Sequence, residues 1–211
     1  MALSGAAWRA GVVVVGVAAA LVNGCSGGEE PVRSPLTVED LGPGDWAGPF
    51  ADVEEAEVEH RASRCTALRP FFLSDEGGGI TAEELSAWSQ AEMLVTVQVD
   101  WYRPGDLDLR GRLGTPELLD DCVGVVDSGP DPLLAEFSWA QDGDVVATEE
   151  VSRSGTTQYH IETAMTATED AFVAVQVSWP EDGAAGPDAR ELLDRAVAGV
   201  EASSAPEAEE E

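Results

Sequence analysis

Seven residues of strict alternation, Val95-Thr96-Val97-Gln98-Val99-Asp100-Trp101, constrain this 211-residue chain more than any other stretch. In an extended strand the three valines and Trp101 share one face, and Thr96, Gln98 and Asp100 share the other. A near copy follows at Val173-Ala174-Val175-Gln176-Val177-Ser178-Trp179. After each copy come a Pro/Gly/Asp turn and a helical pattern, Glu117-Leu118-Leu119-Asp120 in the first case and Glu191-Leu192-Leu193-Asp194 in the second. Two readings of the echo stand side by side. It is a duplication packed as a pseudo-twofold pair, or it is convergence, since buried strands and capped helices draw on the same few residues.

The rest of the periodicity predicts an α+β fold: an antiparallel sheet with helices mainly on one face and a groove or open surface on the other. Leu36 to Trp46 opens the domain with a short helical turn capped by Thr37. Val53 to His60 alternates like an edge strand with a charged outer face, and Ala62 to Phe72 reads as a short helix carrying Cys65. Ile80 to Gln90 is ambiguous, because Thr81 and Glu84 form a capping-box pattern while the same stretch suits a strand entering a hairpin. Thr115 and Pro116 start a helix with Leu118, Leu119 and Cys122 on one face. Strands are expected at Leu134–Gln141, Val145–Ser152, Gln158–Thr168 and Phe172–Trp179. Asp142-Gly143 and Ser154-Gly155 supply hairpin turns. Ala189 to Ala202 is a helix that turns Leu192, Leu193, Ala196, Val197 and Val200 inward.

The first 24 residues carry the marks of an export leader. Arg9 precedes an apolar run from Ala10 to Val22, which is 13 residues long. A bilayer core needs about 20. Val22-Asn23-Gly24-Cys25 then places one cysteine after two small residues, the pattern of a bacterial lipobox. The expectation is a cleaved signal peptide over residues 1–24 and a lipid on Cys25. The protein would then be held on the outer face of the cytoplasmic membrane. An ordinary cleaved signal or an uncleaved anchor is the alternative. Residues 25–35, rich in Gly, Glu, Ser and Pro, read as a flexible tether. Residues 36–202 form one domain, and 203–211 form a disordered acidic tail.

Charge excludes some partners. The formal net charge is −30, and removing Arg9 with the leader makes it −31. Every basic side chain is Arg; Lys is absent. Such a chain is repelled by nucleic acid and by anionic headgroups. Solubility in a crowded wall, or adaptation to high salt, accounts for the acidity. The Arg-only, Ala/Gly/Val-rich composition suggests a GC-rich actinobacterial genome. With Cys25 acylated, Cys65 and Cys122 remain, and outside the cytosol two cysteines allow one bridge. Closing that loop of 58 residues stabilises by about 4 kcal/mol in chain-entropy terms. Two unpaired thiols are the alternative.

No catalytic motif stands out. The chain has no G-x-S-x-G, H-E-x-x-H or G-x-G-x-x-G. His60 and His160 are the only imidazoles. His160 falls on the polar side of its strand, opposite Tyr159 and Ile161, as a solvated side chain would. Asp106-Leu107-Asp108 and Asp142-Gly143-Asp144 lack EF-hand spacing, so no metal, cofactor or enzymatic activity is expected. Trp101 and Trp179 belong to the core. Tyr102, Trp139 and Tyr159 fall on the other sheet face and, with Arg103 and Arg110 or Arg112, are candidates to line an amphipathic ligand groove. The bland reading is that they cover the sheet against loops.

The layout resembles the PknH-like extracellular sensor domain family, found on a mycobacterial Ser/Thr kinase and on stand-alone actinobacterial lipoproteins. The likeness rests on Leu41-Gly42-Pro43-Gly44-Asp45-Trp46, on Cys65 and Cys122 flanking the first long strand and its helix, on the Gly143-Asp144 turn and on the terminal helix. It covers about residues 36–202. The chain lacks the cysteines for that family's second disulfide, and Thr166 to Asp170 stand where the family tends to carry an arginine. The resemblance implies an antiparallel sheet with helices and a cleft, serving sensing or binding at the cell surface. The functional expectation is a non-catalytic module for a small molecule, a wall fragment or a partner protein. The alternative is a structural or chaperone-like subunit of an envelope complex.

Overall fold

A computed structural model describes residues 32–52, 80–102, 119–120, 134–154 and 157–204. The leader, Cys25, the stretch 53–79 with Cys65, Arg103, Arg110, Arg112, Thr115, Cys122, the 127–132 linker and the tail beyond residue 204 lie outside the described residues. Seven antiparallel strands form one sheet: β1 (Ala47–Phe50), β2 (Ile80–Gln90), β3 (Met93–Tyr102), β4 (Leu134–Asp142), β5 (Val145–Ser154), β6 (Thr157–Ala167) and β7 (Ala171–Pro180). Their order across the sheet is β1-β2-β3-β7-β6-β5-β4. The helix α1 (Ala189–Ser204) follows the last strand. An α+β class with an antiparallel sheet is therefore the architecture.

Local chemistry explains the turns. Gly143 joins β4 to β5 with φ +62°, a left-handed conformation that suits glycine. The stretch 80–90 is a strand, not a helix. It reaches β3 through Ala91-Glu92, and Ala91 adopts φ +52° there. That turn has no Gly or Asn to announce it. Before β1, a 3₁₀ turn spans Val38–Leu41. Its start is tied by the Asp40 carboxylate, which accepts the Thr37 N–H and the Thr37 hydroxyl, both at 2.8 Å. Ser34, expected within the tether, accepts a hydrogen bond from the Ser86 hydroxyl at 2.9 Å. Ser203 and Ser204 extend the last helix into the stretch expected as tail; the Ser203 hydroxyl donates back to the Gly199 carbonyl.

The two echoed strands are the sheet's centre and lie side by side. Val95 pairs with Val177, Val97 with Val175 and Val99 with Val173, so the register is symmetric about Val97 and Val175. All six valines are at most 1% exposed. They form the first face, and α1 covers it with Leu192, Leu193, Ala196 and Val200.

The second face is buried as well, but mixed. Leu94, Phe172, Met165 and Ile161 alternate across it with Thr96, Gln98, Asp100, Gln176 and Thr163. Gln98 donates to Asp100 at 3.0 Å and Gln176 to Thr163 at 3.3 Å, as buried polar groups require. Leu119 and Asp120 are helical, and Leu119 is 1% exposed. The Trp139 indole donates to the Asp120 carboxylate at 3.0 Å. Register puts Trp139 on the second face, opposite Thr148. Asp120 thus meets an edge-strand side chain of that face. No open groove remains on that face along β3, β7 and β6, where the described side chains are buried.

Leu193→Ala removes a fully buried side chain from the joint between α1 and the valines. It should lower unfolding free energy by about 2–5 kcal/mol, read from the denaturant midpoint with an unchanged slope.

Candidate functional site

α1 lies against β7 and β6, while Glu136, Ser138 and Glu149, on the first face of β4 and β5, are exposed. Cross-strand register places two rows of side chains there. One row is Glu136, Val151, His160 and Trp179; the next is Ser138, Glu149, Glu162 and Val177. They enclose a cleft of about 260 Å³ lined by Glu136, Ser138, Glu149, Val151, His160 and Glu162. That is below the usual range for drug-sized ligands, about 300–1,000 Å³. It suits one small group.

Electrostatics give the cleft its character. Glu149 and Glu162 stand directly opposite each other on β5 and β6, and like charges in that position are destabilising. Asp188, which caps α1 by accepting the N–H groups of Arg190 and Glu191 at 2.8 and 3.0 Å, adds a third negative group near Glu162. Among the described lining residues only His160 can become cationic. The Arg190 guanidinium, at the start of α1, is held by Asp142 at 2.6 Å. Burial raises the Glu162 carboxyl above its ordinary value; the Ala189 N–H lowers it; Asp188 and Glu149 raise it further; His160 lowers it. The Ala189 bond is long, at 3.5 Å.

One lining ring, His160, is backed by a second aromatic. His160 stacks on Trp179 with ring centroids 5.5 Å apart and planes 11° from parallel. The loop before α1 also passes close to Trp179. At Gly186 an added Cβ would lie 2.9 Å from the indole, so only glycine lets the backbone pass. His160 is half-buried in this stack; the expected solvated imidazole is on the expected face but has a partner.

The aromatics singled out from sequence do not converge. Tyr102, Trp139 and Tyr159 all belong to the second face, as expected. Yet the Tyr102 N–H donates to the Asp170 carbonyl at one end of β7, and Tyr159 pairs with Pro180 at the other. Ten residues of strand separate them, about 33 Å. Tyr102 and Tyr159 are 5% and 7% exposed, and Trp139 is spent on Asp120. Tyr102 and Tyr159 are therefore not brought together among the described residues; Arg103 lies outside them.

A wider depression of about 710 Å³ runs between Arg33, Pro35, Glu84, Trp101 and Val200. It is the seam where the chain enters the domain, and its polar groups do not converge on a point. Among the described residues no three His, Cys, Asp or Glu side chains are placed to hold a metal ion, and no helix is long and apolar enough to cross a membrane. Comparison with models of known families, and with curated proteins, found no match.

A carboxyl whose folded pKa is raised favours the protonated fold, so its contribution declines as pH rises from the unfolded value through the folded one. Glu162→Gln should therefore raise the melting temperature at neutral pH. The gain should vanish below the ordinary carboxylate range, as melting curves across pH 3 to 8 would report, with the approximate window set by model carboxylate values.

Proposed function

We propose that this protein is a non-catalytic binding or sensing module, displayed on the outer face of the cytoplasmic membrane by a lipid on Cys25. Residues 1–24 are its removed leader. The acidic cleft on the first face takes a cationic group of the ligand. One observation carries the binding site: Glu149 and Glu162 face each other across two strands, beside the His160 ring, with no Arg among the described lining residues. A fold that keeps like charges adjacent loses stability, and a bound cation restores it. The His160 ring, stacked on Trp179, presents a flat surface to the guanidinium or alkyl stem of such a group.

The resemblance to PknH-like sensor domains supports the same kind of role, since that family implies a cleft used for sensing at the cell surface. The strand echo supports a duplicated strand–helix unit, because the β3–β7 register is symmetric about equivalent valines. A disulfide between Cys65 and Cys122 belongs to this reading too.

Two measurements test it. Cys25→Ala should move the protein from the membrane fraction to the soluble fraction; unchanged sedimentation with membranes would refute the anchor. Arginine amide should shift the Trp179 fluorescence and the His160 resonances, and Glu149→Gln should weaken that binding about fivefold, the loss of one exposed charge pair. An equal response to a neutral amide would refute the cation site.

A further inference from the structure

The sheet ends differently on its two sides. On one side β1 has only four residues, includes Pro49, and loses register with β2 between Ala47 and Phe50. Short, proline-bearing, irregular edges resist strand addition. On the other side β4 has nine residues and neither Pro nor Lys. Its one irregularity lies at the start, between Leu134 and Glu136. From Glu136 to Asp142 it runs in regular register with β5, and among the described residues no strand pairs with its outer side. Glu136, Ser138, Ala140, Gln141 and Asp142 are exposed. Every second residue of such an edge turns its N–H and C=O outward.

Charge names the occupant. A strand added beside β4 would lay alternate side chains on the first face, next to Glu136 and close to Glu149. A second copy of β4 brings only carboxylates, Glu136 and Asp142, to a chain already at −30. Lys or Arg at alternate positions would instead meet the acidic cleft while the backbone closes the ladder.

We propose that β4 is a strand-addition site whose partner is an extended basic protein segment, with Lys or Arg at every second position over the cleft. Main-chain hydrogen bonds along β4 supply affinity, and the cleft selects the basic side chains. The inference rests on the cleft being a cation site and adds the backbone edge beside it.

Calorimetry with the full-length chain separates the two claims. The probes are a capped seven-residue peptide alternating Lys and Thr, its Glu/Thr counterpart, and two N-methylated versions of the basic peptide, one methylated at every Lys and one at every Thr. The amides of the Lys residues leave one edge of the peptide strand and those of the Thr residues leave the other. Strand addition therefore predicts that one N-methylated version binds about tenfold or more weakly than the parent while the other keeps its affinity. The Glu/Thr peptide should not bind. If both N-methylated versions match the parent, charge alone acts; strand addition is overturned and the cleft reading stands. If the basic peptide binds no tighter than arginine amide, strand addition is likewise overturned. If neither peptide nor arginine amide binds, both claims fall. Self-association of the chain through β4, seen by sedimentation and by amide shifts confined to that strand, would also overturn the proposal.

Discussion

The ladder between β3 and β7 is the constraint on which the rest of the molecule depends. It joins two strands far apart in sequence, and its valines form the surface on which α1 condenses. Branched side chains in facing pairs suit a pleated, buried surface. Because both strands alternate in the same phase, one pairing assigns every later side chain to a face. The first face becomes apolar under α1. The second becomes a buried polar–apolar mosaic, which demands hydrogen-bonded partners such as Gln98 with Asp100 and Gln176 with Thr163.

The cleft follows from the same geometry. One helix of sixteen residues is about 24 Å long. It cannot cover a sheet of seven strands spaced roughly 4.8 Å apart. It reaches Asp142 through Arg190 at its start, and its later turns meet the chain entering at Pro35 and Leu36. The β4–β6 region in the rows of His160 and Glu162 is left over. Carboxylates occupy that leftover surface, and the opposed pair makes the bare patch electrostatically costly rather than neutral. The site is the part of the first face that the helix does not need.

Much of this was legible in the residues, and the misses have physical causes. β3, β7 and α1 carry clean periods of two and 3.6, and Asp142-Gly143 is a strong turn. The stretch 80–90 was ambiguous because Ala91 takes a left-handed conformation without a glycine to mark it, while Thr81 and Glu84 imitate a helix start. Of the first helical echo only Leu119 and Asp120 lie within the described residues, and both are helical as the pattern predicts. Alternation places Tyr102 and Tyr159 on one face, but β3 and β6 are both antiparallel to β7 and so run in the same direction. The end of one is far from the start of the other. The opposition of Glu149 and Glu162 depends on the β5–β6 register, and acids are too frequent in this chain for any pair to announce itself.

Residue-resolved hydrogen–deuterium exchange tests the central claim most directly, namely a sheet locked at β3–β7 and open at β4. The account predicts that β3 and β7 amides exchange only through global unfolding, while alternate amides of β4 from Glu136 to Asp142 exchange rapidly. Uniform protection of β4 at the level of β7 would mean that the edge is covered, and would contradict the account of the surface beside the cleft.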